Sequence, residues 1–188
     1  SGLNVVYGHH VRCNEHTLAI ADHYEIDVVV LVRNIKDICR SFSDHVDAGH
    51  LTWPYVVLDE VTLRHVDRSG LRPSLVASTL LPWLLNFYVG WKLHEQAGGR
   101  VLFVRYEDLV DDSVGSLVHL MDYIGTSVNE QTIENAIESV SRTPRQGNMN
   151  VGVIGRGEGY FRGEPIADAL IEVFLSSYPS IDFSPILA

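Results

Sequence analysis

The chain has little of what marks secreted, membrane-spanning or metal-dependent proteins. Its 188 residues include two cysteines without CxxC spacing, which excludes a disulfide framework. No apolar run approaches the roughly 18 residues of a membrane span, and no signal-peptide layout is present. HExxH and GxSxG are also absent, so neither a zinc helix nor a hydrolase nucleophile elbow is indicated. We expect reduced thiols, a cytoplasmic location, no membrane contact and no metal.

Positive charge is scarce too. Lysine and arginine total 14 against 24 acidic residues, for a formal net charge of −10. Such a balance argues against broad binding to nucleic acid, because that requires an extended cationic surface. An anionic ligand would need a local concentration of positive charge instead.

The sequence is rich enough in apolar residues, at 46%, to bury the core of one domain, and we expect a single domain over residues 1–188. The run 28–32 is continuously apolar, which is typical of a strand buried on both faces of a parallel sheet. A second such run spans 101–104, and 3–7 is a third candidate. Helical patterns lie between and after the strands. The pattern predicts an α/β three-layer sandwich with a central parallel sheet flanked by helices.

The predicted helices have recognisable ends. A short helix over 14–23 has Asn14 as its cap, and a helix from Ile35 fades near Gly49. Proline opens a long helix at about 73–97, which Pro82 is expected to kink or divide. Further helices are predicted at roughly 113–124, 129–141 and 164–177. Residues 49–72 are irregular in pattern, and we interpret 43–72 as a substrate-side insertion.

Arg33 follows the first buried strand and precedes a helix. This turn lies at the carboxyl edge of the sheet, where helix N-termini favour anions. Arg33 is therefore a candidate phosphate ligand, and pairing with a carboxylate at the strand end is the open alternative. His9 and His10 follow the candidate strand 3–7 and are expected at the same edge. A histidine there suits a general base, although a structural role is also open.

Residues 142–163 form a predicted loop that differs in composition from the rest of the chain. It combines four arginines and six glycines with one acidic residue, Glu158. Glycine allows close backbone approach to a ligand, and arginine adds charge-assisted hydrogen bonds. The loop is interpreted as a phosphate-covering segment, with a flexible surface loop as the alternative.

These segments together resemble the sulfotransferase family that uses 3′-phosphoadenosine 5′-phosphosulfate (PAPS), which has a P-loop nucleotide-kinase-like fold. The strongest motif is Arg-Asn-x-Lys-Asp at 33–37 with Ser41 eight residues after the arginine. The second is a strand followed by Tyr-Glu-Asp-Leu at 106–109, and the third is the glycine frame at 152–161. The segments occur in family order across nearly the whole chain.

The resemblance implies roles for the matching positions. Arg33 and Ser41 would grip the 3′-phosphate, and Tyr106 would lie near the adenine. Gly152 would keep the glycine of the cofactor loop, and Arg156, or alternatively Arg145, would substitute for the two cations that the family has there. His9 would act as catalytic base, with His10 as the alternative. The products would be a sulfate ester, or a sulfamate, and 3′,5′-adenosine bisphosphate (PAP). The acceptor would be a small molecule or a glycan.

The sequence departs from the family at two places. No Lys-Ser-Gly-Thr-like phosphosulfate loop precedes His9, and no GxxxxGK[ST] occurs. The family's Arg-Lys-Gly is replaced by Asn150-Val151-Gly152. We therefore expect an N-terminally truncated enzyme. The alternative is a catalytically incomplete module of this fold that binds a nucleotide or a protein partner without transfer.

Overall fold

The computed structural model describes residue 8 and residues 10–48, 60–142 and 153–188. Within them, the sheet consists of two parallel strands, β1 (Val28–Val32) and β2 (Val101–Arg105). The register pairs Val28 with Val101 and Val32 with Arg105. Helices pack around this pair, which confirms the predicted α/β class with a parallel sheet flanked by helices. The strand candidate 3–7 lies outside the described residues.

Helices make up most of the described chain. In chain order they are α1 (Glu15–His23), α2 (Ile35–Asp47), α3 (Glu60–Arg68), α4 (Arg72–Gln96), α5 (Tyr106–Asp111), α6 (Ser113–Tyr123), α7 (Glu130–Arg142), α8 (Gly157–Tyr160), α9 (Pro165–Ser177) and α10 (Ser184–Leu187). The side chain of Asn14 caps α1 by accepting a hydrogen bond from the Thr17 amide at 2.9 Å, as the sequence predicts. No helix of the described part is both long and apolar enough to cross a membrane.

The core lies where α2, α4 and α9 meet the sheet. Val30 and Val32 of β1 are buried there, and Leu31, between them in sequence, is exposed on the other face. Cys39 of α2 is fully buried, and both cysteines are free thiols, as expected. On the other side of the sheet, α6 packs against β2, and its Tyr123 hydroxyl donates to the Val28 carbonyl oxygen at 3.2 Å.

Helix α4 has the length that its sequence predicts but is not divided. Pro82 lies inside a single helix of 25 residues and does not divide it. Leu80, Leu81 and Leu85 are buried on both sides of the proline. An internal proline costs roughly 3 kcal/mol, while each fully buried leucine contributes about 1.5–3 kcal/mol. Burial on both sides of Pro82 therefore outweighs its local preference.

Two segments predicted to be irregular, 49–72 and 142–163, contain helices in their described parts. Glu60–Arg68 forms α3, whereas Ser43–Asp47 ends α2, the helix that the sequence predicts from Ile35 to near Gly49. The candidate substrate-side insertion 43–72 is thus largely helical in its described parts. The Tyr-Glu-Asp-Leu motif starts the short helix α5 directly after β2. The predicted loop 142–163 contains α8, and its residues 143–152 lie outside the described part.

Candidate cofactor site

The two parallel strands bring Arg33 and Tyr106 together. The last register pair joins Val32 to Arg105, so the next residue of each strand lies at the same carboxyl edge. The Arg33 guanidinium carbon is 4.4 Å from the centroid of the Tyr106 ring, which is a cation–π contact. The sequence placed both residues after buried strands, and the structure shows that they touch.

Asn34 connects this turn to both neighbouring helices. Its Oδ1 accepts hydrogen bonds from the amides of Lys36 at 3.0 Å and Asp37 at 3.1 Å, so Asn34 is the N-cap of α2. Its own backbone N–H donates to Oε1 of the buried Glu107 at 3.0 Å. The Arg-Asn turn and the Tyr-Glu-Asp-Leu segment are therefore joined by a direct hydrogen bond.

The Arg33 side chain is held on three sides but keeps unused donor capacity. Its side chain is 18% exposed. Its Nη2 donates to the Val153 carbonyl oxygen at 2.9 Å and lies 3.6 Å from Asp37 Oδ2. Its Nε is buried and has no hydrogen-bond partner among the described residues. A guanidinium carries five N–H donors, so this one has donors left for an oxyanion.

The glycine-rich segment folds onto α2 through Asp37. Asp37 is 2% exposed, and its carboxylate accepts hydrogen bonds from the backbone N–H groups of Gly155 at 2.7 Å and Gly157 at 2.6 Å. Gly155 has φ +83, which favours glycine. A Cβ on Gly157 would lie 2.2 Å from the carbonyl carbon of Lys36. The close approach of this segment to α2 therefore requires glycine at 157.

The same face of α2 carries the other predicted cofactor residues. Ser41 is half-buried and follows Asp37 by four residues, and Asp44 follows Ser41 by three, so all three share one face. The Arg156 guanidinium pairs with Asp44 at 2.7 Å, and Arg40 pairs with the same carboxylate at 2.5 Å. Arg33, Ser41 and Arg156 thus belong to one surface formed by α2 and the segment 153–157, although Arg156 already has an acidic partner.

Lys36, the other cation of the Arg-Asn-x-Lys-Asp motif, belongs to a different surface. Its Nζ lies 3.1 Å from Glu158 and 3.1 Å from Asp168, beside a cavity of about 340 Å³ between α2, α9 and α10. Burial lowers the pKa of Lys36, but hydrogen bonds and charges from Asp168 and Glu158 outweigh burial and raise it. Because carboxylates surround this cavity, it does not suit a phosphate.

The predicted base and one predicted loop residue cannot be placed. His9 and Gly152 lie outside the described residues. The neighbouring His10 is described, and its ring centroid lies 6.2 Å from that of Trp83 in an edge-on contact. Trp83 stacks on Phe87 at 5.6 Å, and the Arg12 guanidinium lies 5.6 Å from the Trp83 centroid.

This aromatic group lies toward the carboxyl edge of the sheet. Phe103 of β2 contacts Tyr88 and Lys92 of α4. Because only a short connection joins the end of α4 to the start of β2, the strand runs back along the helix in the opposite direction. Trp83 is more than one helical turn before Tyr88, so it lies further toward the edge where Arg33 is found. His10, through its contact with Trp83, lies on the same part of α4.

Sequence reasoning missed the acidic residues that assemble the site. In the sequence, Asp37 and Glu107 appear only as members of the Arg-Asn-x-Lys-Asp and Tyr-Glu-Asp-Leu motifs. Their partners are the backbone amides of Gly155, Gly157 and Asn34, which sequence patterns do not reveal. The available signal was an acidic residue at the predicted N-terminus of a helix, where carboxylates commonly accept amide hydrogen bonds.

Comparisons with known proteins agree with this fold. The chain matches the family model "Sulfotransferase domain" over residues 23–152. It is similar in structure to the mouse sulfotransferase SULT7A1 complexed with PAP, with a TM-score of 0.56 and 15% sequence identity. That match covers 88% of this chain and 63% of the mouse chain. A comparison with curated proteins finds no match. Because the family match covers well over half of its residues, the chain belongs to the sulfotransferase family.

Proposed function

We propose that the chain is the core of a PAPS-dependent sulfotransferase, which transfers a sulfuryl group to an acceptor hydroxyl or amine. The observation that supports the proposal is the position of Arg33 and its unused hydrogen-bond donors. This guanidinium is fixed at the carboxyl edge, stacked on Tyr106, and has a buried Nε without a partner in the described part. Such a group fits the 3′-phosphate of PAPS, with Ser41 beside it and Tyr106 near the adenine.

The chemistry requires little covalent work from the protein. The acceptor oxygen or nitrogen attacks sulfur, the bond from sulfur to the phosphate oxygen breaks, and PAP leaves. His9, or His10 in the alternative assignment, would take the acceptor proton. Arg33, Ser41 and the cofactor loop with Gly152 and Arg156 would hold the nucleotide in line. Catalysis would then come from alignment and proton removal.

The aromatic group beside His10 supports an acceptor with some apolar surface. Trp83 and Phe87 provide a stacked wall of two rings, which suits a small molecule or a sugar face. These two rings lie toward the same edge of the sheet as Arg33. An acceptor bound to them would therefore lie toward the edge where the nucleotide is proposed to bind.

Calorimetric titration with PAP tests the nucleotide site. We expect wild-type protein to bind PAP, and Arg33→Ala to lose at least tenfold in affinity, equivalent to about 1.4 kcal/mol. Arg100→Ala is the matched control, because Arg100 pairs with Asp27 at the opposite end of the strands and should leave affinity unchanged. Unchanged affinity in Arg33→Ala would remove Arg33 from the site.

Turnover separates the two candidate bases and the two candidate functions. With PAPS and a panel of hydroxylated and amine acceptors, we expect His9→Ala to lower PAP formation far more than PAP affinity. The same result for His10→Ala alone would move the role to His10, and full activity in both variants would contradict a histidine base. Tight PAP binding without turnover in wild-type protein would favour the binding module. The pairing of Arg156 with Asp44 supports this second function, because a predicted cofactor residue already has an acidic partner.

A further inference from the structure

Asp37 is a buried carboxylate beside an anion site, and the proposed reaction gives it no role. A negative charge there should weaken phosphate binding through simple repulsion, since it lies 3.6 Å from the Arg33 guanidinium. We propose that Asp37 is a positioning residue for the 3′-phosphate site. Its hydrogen bonds hold the backbone of residues 155–157 against α2, and this backbone orients Arg33, while Asp37 itself forms no short hydrogen bond with Arg33. This inference rests on the proposed function.

The first step concerns how the carboxylate is occupied. Asp37 Oδ1 accepts a hydrogen bond from the Gly157 N–H at 2.6 Å, and Asp37 Oδ2 accepts one from the Gly155 N–H at 2.7 Å. The Arg33 Nη2 lies 3.6 Å from Oδ2, which is beyond the 2.7–3.2 Å typical of N–H···O hydrogen bonds. Asp37 therefore attracts the guanidinium by charge while its short hydrogen bonds go to the backbone.

The second step concerns what the fastened segment does in return. Val153 lies two residues before Gly155, and its carbonyl oxygen accepts a hydrogen bond from Arg33 Nη2 at 2.9 Å. These contacts form a closed ring, which we call the Asp37 circuit: Asp37 holds Gly155, the same backbone carries Val153, Val153 binds Arg33, and Arg33 lies beside Asp37. Loosening the segment removes the acceptor that fixes Arg33, and a mobile guanidinium pays more conformational entropy when it binds an anion.

The two physical effects of Asp37 have opposite signs, so an experiment distinguishes them. If Asp37 acted only through its charge, Asp37→Asn would tighten PAP binding. If Asp37 positions Arg33, the same substitution weakens PAP binding, because one amide loses its carboxylate acceptor. The effect should be confined to the 3′-phosphate, so affinity for adenosine 5′-monophosphate, which lacks that group, should be retained.

The test titrates both nucleotides into wild-type protein and Asp37→Asn. We expect the dissociation constant for PAP to rise at least tenfold and that for adenosine 5′-monophosphate to change less than about twofold. Glu158→Gln is the matched control, since it removes the neighbouring carboxylate, which pairs with Lys36, while leaving Asp37 intact. Amide exchange at Gly155 and Gly157, measured by NMR, should become faster in Asp37→Asn alone.

A second pair of variants keeps the test valid if Asp37→Asn folds poorly. Gly155→Ala retains the carboxylate but strains the fastened segment, because Gly155 has φ +83. We expect the same selective loss of PAP affinity. Gly163→Ala introduces comparable strain outside the circuit, at φ +83 with open space around its Cβ, and should not change the preference for PAP.

The outcomes separate this inference from the proposed function. Equal or tighter PAP binding by Asp37→Asn, or an equal loss for both nucleotides, would overturn the positioning role and leave the nucleotide site standing. Wild-type protein that does not prefer PAP over adenosine 5′-monophosphate would overturn the 3′-phosphate site itself, and with it the role of Asp37.

Discussion

The packing of the glycine segment on α2 leads to a prediction about Gly157→Ala. A Cβ at this position would lie 2.2 Å from the Lys36 carbonyl carbon and 2.5 Å from both the Asp37 nitrogen and the Lys36 carbonyl oxygen. All three atoms belong to backbone inside the first turn of α2, so they cannot move aside as a flexible side chain would. The segment itself must therefore retreat from the helix.

The size of the retreat sets the expected cost. Ordinary contacts begin at 3.4 Å, so the Cβ must move by about 1.2 Å, the difference between 3.4 and 2.2 Å. A shift of that size stretches the hydrogen bond from Gly157 to Asp37, now 2.6 Å, well beyond hydrogen-bonding distance. Losing one hydrogen bond to a buried charged group costs about 1.5–3 kcal/mol, and we expect the free energy of unfolding to fall by that amount.

Urea denaturation followed by circular dichroism measures this loss, with Gly159→Ala as the matched control. Gly159 lies in the same short helix with nothing within 4 Å of its Cβ position, so alanine there should be neutral or slightly stabilising. PAP affinity should fall in Gly157→Ala and stay unchanged in Gly159→Ala. A difference of less than about 0.5 kcal/mol between the two variants would refute the packing argument, because ordinary surface substitutions have effects of that size.

Two further predictions concern the core. Tyr88→Phe removes the hydrogen bond from the Tyr88 hydroxyl to the Asp182 carbonyl oxygen at 2.6 Å; we expect a loss of about 1 kcal/mol in urea denaturation without a change in PAP affinity, and a loss of PAP affinity would contradict the separation of core and site. Burial raises the pKa of the Cys39 thiol strongly and that of the Cys13 thiol less, so Ellman's reagent should label Cys13 first in native protein and both thiols after unfolding. Equal native labelling rates would contradict the full burial of Cys39.

The parts of the fold that follow local rules could be predicted from the sequence. A continuous apolar strand, a polar turn and an amphipathic helix determine where Arg33 lies, and the same logic places Tyr106 after β2. Parallel pairing then brings the two edges together without further information. The role of Asn14 as a helix cap likewise follows from residue type and position alone.

The parts decided by tertiary contacts could not be predicted in this way. Pro82 breaks helices by its local chemistry, and only burial on both sides keeps α4 in one piece. The segment 60–68 has a helical pattern that its many charges obscure, so its sequence alone favours an irregular segment. In both cases a strong local signal pointed away from the structure that the surroundings stabilise.

Asp37 shows most clearly where sequence reasoning ends. Its spacing of four from Arg33 suggests a local ion pair on a helix surface, worth about 0.3–0.5 kcal/mol. The structure instead buries the carboxylate and gives its short hydrogen bonds to amides 118 and 120 residues away. Those amides carry no side-chain signature, because the partners are glycine backbone groups. Glycine at 157 and aspartate at 37 are nevertheless coupled physically: one allows the close approach, and the other supplies the acceptor that makes the approach favourable. Neither residue explains the other until the segment with Gly157 is packed against Asp37 of α2, and their joint effect on Arg33 connects this packing to the proposed nucleotide binding.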